Sequence, residues 1–410
     1  MKVRKIFIAL LFLAVILTTK TNAVGPEITA TSGVVIDCID GKILYSKNME
    51  EKLYPASLTN ILTAILVVEN CNMQDTVVIS QSAISNVQPG YLTSKMKTGE
   101  TFTVQQLLNL LLISSYSDVS NALAEHIAGS TEIFTEMMNN KAKEIGCTNS
   151  NFVNSNGEHD TNHYSTAKDL ALIAKYAMQF DEIKSIAQKT EFSLPATEFY
   201  TSLDRNYYTT NEMLKSSSSN YYKYAKGIKA AFTTPAGNCL ITYSIKNDIP
   251  LVAVVLKSTT QNSRYTDAKS ILEYSYDNNV LRTIAKSGTN LQTLNVKKGT
   301  QETKKLNALL ENNIIAVVKK ENENANVEPK ISINNNLKAP IEKGTVIGKV
   351  SYEIEGKTYT ANLIAESNVE KSHKGLVFLL IFLSLLLLLG GLRIRAVYKR
   401  KKVLKKIRKK

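Results

Sequence analysis

Cysteine is scarce in this chain, with four among 410 residues, and so is net charge anywhere but at the two ends. The four thiols, Cys38, Cys71, Cys147 and Cys239, follow no metal-ligand spacing, so they announce no zinc site. Cys239 lies in the apolar run Cys239-Leu240-Ile241, where a buried free thiol is expected, and no disulfide is predicted. Acidic residues are absent from positions 1–23 and 393–410, which carry four and eleven Lys/Arg. Those ends exceed the whole net charge of +14 and leave −1 over residues 24–392. A nucleic-acid binder would carry positive charge on a folded face, so that class is excluded. Repeats are absent, and there is no low-complexity segment beyond Ser216–Ser219, which excludes solenoid and fibrous architectures.

The basic ends describe a membrane topology. Met1–Lys5 is a short basic region, Ile6–Leu17 is apolar, and Thr21-Asn22-Ala23 suits a cleavage site, so residues 1–23 read as a secretory signal. An uncleaved N-terminal anchor is the alternative. Residues 375–392 are 18 positions without a charge, enough for a spanning helix. The basic tail 393–410 follows at once, which places it in the cytoplasm and residues 24–374 outside. The tail also suits an anionic lipid surface, although a stop-transfer role is sufficient.

Between the ends, residues 33–46 alternate around Asp40-Gly41, a hairpin signal that predicts two edge strands. Helices are expected at 121–128, 133–145 and 168–178, the last capped by Thr166. A turn and then a helix are expected over 99–113. Strands at 238–246 and 251–257 flank Asn247-Asp248, and a helix closes the region at 268–277. Strands at both ends with helices between predict an α/β (α+β) domain whose terminal strands share one sheet. Short alternating strands at 345–353 and 358–364 predict a separate small β domain over 290–367. A mostly polar linker, Ala365–Lys374, would lead to the membrane helix.

The chemistry centres on Tyr54-Pro55-Ala56-Ser57-Leu58-Thr59-Asn60. Pro55 suits a first helical turn, and the apolar run from Ile61 to Val68 reads as a buried helix. Ser57 then stands at the helix start with Asn60 on the same face. One class of acyl-transfer enzyme presents its serine this way, but with Lys at the backing position. Two further stretches follow in order. They are Ser115-Tyr116-Ser117-Asp118 and Gly227-Ile228-Lys229-Ala230-Ala231-Phe232-Thr233-Thr234.

Together with Phe152-Val153-Asn154 and His163-Tyr164-Ser165-Thr166-Ala167-Lys168-Asp169, these motifs resemble the low-molecular-mass penicillin-binding proteins, that is, serine D-alanyl-D-alanine carboxypeptidases. The resemblance covers roughly residues 27–367. It includes Leu337–Val350, which is similar to the family's C-terminal β domain. It implies a penicillin-binding/β-lactamase-like domain over 24–285, with an antiparallel sheet and a helical lobe, then a β-sandwich over 290–367. It implies peptidoglycan as the setting and no metal or cofactor. Family members cleave the bond between two D-alanines by serine attack, with a lysine one turn on as base. The Ser-x-Asn motif relays protons and orients the substrate. The Lys-Thr-Gly strand binds its carboxylate, and two backbone N–H groups, here of Ser57 and Phe232, form the oxyanion hole.

Position by position, the chain keeps Ser57, Ser115 and Lys229. Asn60 stands for the base Lys, and a carboxamide is not basic near neutral pH. Ser117 stands for Asn, and Ala230-Ala231 for Thr-Gly. Arg264 matches a family arginine near the substrate carboxylate. Ser57 reads either as a residual nucleophile or as a helix cap. Lys229 reads as a substitute base relayed through Ser115, or as a structural or surface charge. His159 and His163 are four apart, as metal ligands can be, but they flank a loop and lack a third partner. The expectation is therefore an exported, membrane-anchored family member with an impaired site, binding a stem peptide or a wall-synthesis protein. The alternative is a working D,D-carboxypeptidase acylated on Ser57. A β-lactamase is disfavoured because no water-activating carboxylate motif is apparent.

Overall fold

The computed structural model describes residues 25–200 and 205–407, so the predicted signal segment 1–23 lies outside the described residues. The chain divides between Leu281 and Arg282 into two units.

In the first unit the predicted hairpin forms between β1 (Ser32–Asp37) and β2 (Ile43–Lys47). Only β2 is an edge strand. β1 also pairs with the strand Ile249–Ser258, with Val34 opposite Val254, and is buried along its whole length. The expectation of two edge strands is corrected on this point, because a hairpin signal reports local pairing and not what lies beyond it. Helices follow at α1 (Asn60–Asn70), α2 (Val104–Ser114), α3 (Ser117–Ala128), α4 (Thr131–Ile145) and α5 (Ala167–Ala177). The Thr166 hydroxyl accepts the Asp169 N–H at 3.1 Å and caps α5. Three long strands, β3 (Ala225–Thr233), β4 (Gly237–Lys246) and β5 (Ile249–Ser258), then lead to α6 (Ser263–Asn278). The sheet order is β2-β1-β5-β4-β3, so the first and last strands of the unit share one antiparallel sheet and β3 is a free edge.

Alternation decides which layer each strand residue joins. Val34, Ile36, Val252, Val254 and Leu256 belong to the core of the helical lobe. Their neighbours Val35, Ala253 and Val255 are buried as well and face the opposite side, where α6 packs on β4 and β5. α1 is mostly apolar, and every residue from Ile61 to Val67 is buried. It is the central helix of the lobe.

The second unit carries a five-stranded antiparallel sheet of β6 (Asn290–Asn295), β7 (Lys305–Leu310), β8 (Lys330–Ile333), β9 (Val346–Ile354) and β10 (Lys357–Ala365). Its order is β6-β7-β10-β9-β8. The expected linker after Ala365 is not a free tether. Val369 is buried, its N–H donates to the Ile341 carbonyl at 2.8 Å, and Ser372 N–H donates to Lys298 O at 2.7 Å. The apolar β-branched side chain of Val369 accounts for this docking. α7 then runs without a break from Lys374 to Ile407, 34 residues, or about 51 Å at 1.5 Å per residue. Residues Lys374–Lys402 form a stretch apolar and long enough to cross a membrane, and the basic residues continue the same helix.

All four cysteines are free. Asp37 deserves its place in the hairpin. Its carboxylate is buried and accepts the N–H groups of Ile39, Asp40 and Lys42 at 2.9–3.0 Å. Burial pushes its pKa up to about 6. Asp37→Ala is expected to destabilise the first unit by about 1–3 kcal/mol, the cost of stranding donors that a charged acceptor satisfied. Chemical denaturation followed by tyrosine fluorescence measures this.

Candidate active site

The predicted serine is presented by backbone strain. Ala56–Thr59 forms a single 3₁₀ turn that runs straight into α1. Ala56 has φ +49°, a left-handed value that a residue with a Cβ adopts only when its surroundings impose it. Two contacts impose it here. Thr59 Oγ1 donates to the Ala56 carbonyl at 2.8 Å. Gly157, at φ +82°, lies so close that a Cβ there would stand 1.9 Å from Ala56 O and 2.9 Å from Ser57 N. Only glycine fits.

His163 supports this turn from behind. Val153 N–H donates to its Nδ1 at 3.2 Å, so Nε2 carries the proton and donates to Thr59 Oγ1 at 2.9 Å. The chain of hydrogen bonds runs from Val153 through His163 and Thr59 to the Ala56 carbonyl. Burial lowers the His163 pKa to about 4, so the ring stays neutral and the relay of donors is kept. Both ring nitrogens are committed, and neither is free for the metal role weighed for the His159/His163 pair. His159 instead stands edge-on to Tyr54, 4.6 Å between ring centroids.

A cleft of about 720 Å³ lies between this turn, the α2–α3 junction and the free edge β3. Ser57, Ser115, Ser117, Ala230, Ala231, Phe232 and Arg264 all line it. The structure thus brings together seven of the nine positions singled out from the sequence. Asn60 and Lys229 lie outside that lining, and both are buried.

Asn60 is the first residue of α1, completely buried, and neither its Oδ1 nor its Nδ2 has a hydrogen-bond partner. Lys229 is 1% exposed and points from β3 to the C-terminus of α2. Its amine donates to Leu111 O at 2.6 Å and Leu112 O at 3.0 Å. The last carbonyls of a helix lack intrahelical partners and carry its negative end, so a donor is favourable there. The surface-charge reading of Lys229 is therefore corrected. Burial lowers its pKa to about 7.

Ser115 terminates α2 in a left-handed conformation, φ +64°, and its buried hydroxyl has no partner. Ser117 opens α3, and its hydroxyl faces the Glu158 carboxylate. Arg264 is buried. It donates to the Ala231 carbonyl at 3.0 Å and to the Tyr265 hydroxyl at 3.1 Å, and its Nε has no partner. Among the described residues it forms no ion pair, so a cation without a counter-charge stands in the cleft wall. The arrangement can accept a carboxylate-bearing ligand beside Ser57. It offers no basic group at the position behind that serine.

Sequence reasoning missed Gly157 and the supporting roles of Thr59 and His163. The His163–Asp169 stretch was legible as a unit, but its contact with Thr59 spans 104 positions and no spacing rule reaches that far. Two outcomes follow from this support. Gly157→Ala is expected to cost about 1–3 kcal/mol more than Gly146→Ala, since both have positive φ but only Gly157 meets atoms within 4 Å. Denaturant midpoints of the two variants measure the difference. For His163, the unfolded ring binds a proton below about pH 6.5 and the folded ring only near pH 4. Stability therefore falls as pH drops through that window, by about 3 kcal/mol in full. Asp37, with its raised pKa, works in the opposite sense. The readout is accordingly the difference between wild type and His163→Gln, which should narrow steadily from pH 6.5 to pH 4.

Residues 18–260 match the family described as D-alanyl-D-alanine carboxypeptidase, and residues 281–371 match the C-terminal domain of penicillin-binding protein 5. The chain is 31% identical to the carboxypeptidase DacF of Bacillus subtilis over 358 residues, covering 85% of this chain and 88% of that relative. It is 29% identical to DacC of Escherichia coli, with 85% and 86% covered. Among solved structures it resembles penicillin-binding protein 5 of Haemophilus influenzae, with a TM-score of 0.68 at 27% identity, covering 84% of this chain and 99% of that one. With the strained serine turn, the cleft and the β domain in place, the chain belongs to the D-alanyl-D-alanine carboxypeptidase family of cell-wall metabolism.

Proposed function

We propose that this protein is an exported, membrane-anchored member of the family that binds in its cleft without performing the family's peptidase reaction. The observation that carries the reading is the pairing of Asn60 with Lys229. Asn60 occupies the position behind Ser57 and has no basic atom. Lys229 is the remaining lysine of the motifs, and its amine is held by two carbonyls of α2. A missing general base alone lowers a rate by about 10²–10⁴. Ser117, Ala230 and Ala231 remove further groups that the resemblance assigns to orienting the substrate and holding its carboxylate. Ser57 and Arg264 stay in the cleft, so a peptide with a free C-terminal carboxylate remains a suitable ligand. A peptidoglycan stem peptide has that chemistry, and a wall-synthesis protein is the other partner class. α7 would anchor the chain, with residues 393–410 on the cytoplasmic side and both β-containing units outside.

One observation favours a working carboxypeptidase instead. The Lys229 pKa, lowered to about 7 by burial, is that of an amine able to accept a proton. In that reading Lys229 takes the Ser57 proton through Ser115, and the acyl-enzyme forms on Ser57 Oγ.

Incubating the full chain in detergent with a fluorescent penicillin separates the two. No covalent label on Ser57 is expected within the time that a carboxypeptidase relative labels fully. Labelling that Ser57→Ala abolishes would overturn the proposal. Restoring Asn60→Lys, Ser117→Asn, Ala230→Thr and Ala231→Gly together is expected to raise the labelling rate at least 10²-fold.

A further inference from the structure

The two ends of the second unit differ in how their lysines are matched. β9 and β10 pair from Ile354 and Lys357 at the hairpin turn to Val346 and Ile364. Each strand is nine residues long, or about 30 Å at 3.3 Å per residue. Near the turn, lysines stand against acids. Lys330 pairs with Glu353 at 3.0 Å, and Lys319 with Glu321 at 3.6 Å. At the other end, main-chain hydrogen bonds tie residues 297–300, 338–343 and 369–374 together. Ala339 N–H donates to Lys297 O at 2.9 Å and Thr300 N–H to Glu370 O at 3.0 Å, beside the Val369–Ile341 and Ser372–Lys298 bonds. These three segments carry Lys297, Lys298, Lys338, Lys343, Lys371 and Lys374 against two acids, Glu342 and Glu370. All six lysines are exposed, and none forms an ion pair among the described residues.

The long apolar helix starts at this same end. Ser372 is held to Lys298 O, and α7 begins two residues later at Lys374. Two residues reach at most about 7 Å. The uncharged run of α7 begins at Gly375. With that run in the hydrocarbon, the lysine-bearing end stands beside the headgroup layer, which adds about 5–7 Å to each side of the core. Lys297, Lys298, Lys338 and Lys343 lie 31 to 77 positions before Lys374. That is outside the about 15–20 flanking residues whose charge orients a span. Tertiary structure brings these four to the membrane side, and no topology signal requires them there.

We propose that the lysine-bearing end of the β domain is a docking surface for anionic phospholipid headgroups of the leaflet that α7 enters. The proposal rests on reading α7 as a membrane anchor. A lysine ammonium is a mobile point charge with three donors, suited to phosphate oxygens that have no fixed geometry. Its long stem lies along apolar surface while the charge stays with the headgroups. Each of the six amines is free of a protein acid, so no internal pair has to be broken. The tether favours lipid over a soluble polyanion, because it holds headgroups at high effective concentration beside the lysines. α7 and the lysine end together then fix the second unit on the bilayer at two places.

Lysine acetylation of the full chain tests this. The chain is reconstituted in nanodiscs of phosphatidylcholine with or without phosphatidylglycerol, treated with uncharged N-hydroxysuccinimidyl acetate, and read by mass spectrometry. Only the neutral amine is acetylated, and a surface potential of about −30 mV enriches protons about threefold beside the headgroups. Lys297, Lys298, Lys338 and Lys343 are therefore expected to react at least threefold more slowly in the anionic discs. Lys320 is the reference, exposed and next to the hairpin turn through the Lys319 N–H that donates to Glu355 Oε1, and its rate should not change. High salt, at which the screening length falls to about 3 Å, should remove the difference. Equal rates in the two discs, or slowing that salt leaves in place, would overturn the surface. Slowing by soluble polyphosphate in neutral discs, with none from phosphatidylglycerol, would overturn the lipid assignment. An alkaline wash of chain-loaded vesicles reads the anchor by itself. Retention with equal acetylation rates keeps the anchor and removes the surface, whereas release removes both.

Discussion

The site depends on one backbone contact, the close approach of Gly157 to the Ala56–Ser57 peptide. A left-handed alanine before the serine is unfavourable in isolation. It persists because Thr59 and His163 hold the Ala56 carbonyl on one side and Gly157 leaves room on the other. Everything that defines the cleft is tied to this turn. The turn begins the central helix α1, Gly157 belongs to the loop that also carries Glu158, and β3 packs against the turn as the free edge of the sheet. The supporting network is intact although three of the motifs it serves have changed.

Buried polar groups without partners gather around the same place. Folded proteins pair nearly all such groups, so each exception asks for a cause. Asn60 sits behind Ser57, Ser114 and Ser115 line the cleft, and Arg264 stands in its wall. Arg264 has no ion-pair partner among the described residues. Lys229 is the counter-example. It is as buried as the rest but has partners, because two carbonyls in the last turn of α2 accept from its amine.

The secondary elements were legible because local patterns determine them. Asp40-Gly41 set a hairpin, Thr166 capped α5, and the apolar run after Ile61 had to be buried on all sides. The edge assignment of β1 failed because it depends on β5, more than 200 positions later. The docking of Val369 failed for the same reason. A residue 28 positions back, Ile341, supplies its partner.

The sequence by itself determined the order of the three motifs, the four positions where they depart from the family pattern, the near-neutral body and the basic ends. These follow from residue identity and short spacing, which survive without a fold. Tertiary structure alone decided where the retained groups act. It turned Lys229 away from the cleft to the end of α2 and committed both nitrogens of His163 to the serine turn. The physical reason is that satisfaction of a buried polar atom depends on which distant atom lies within about 3 Å of it. Spacing along a single helix or strand does not encode that distance.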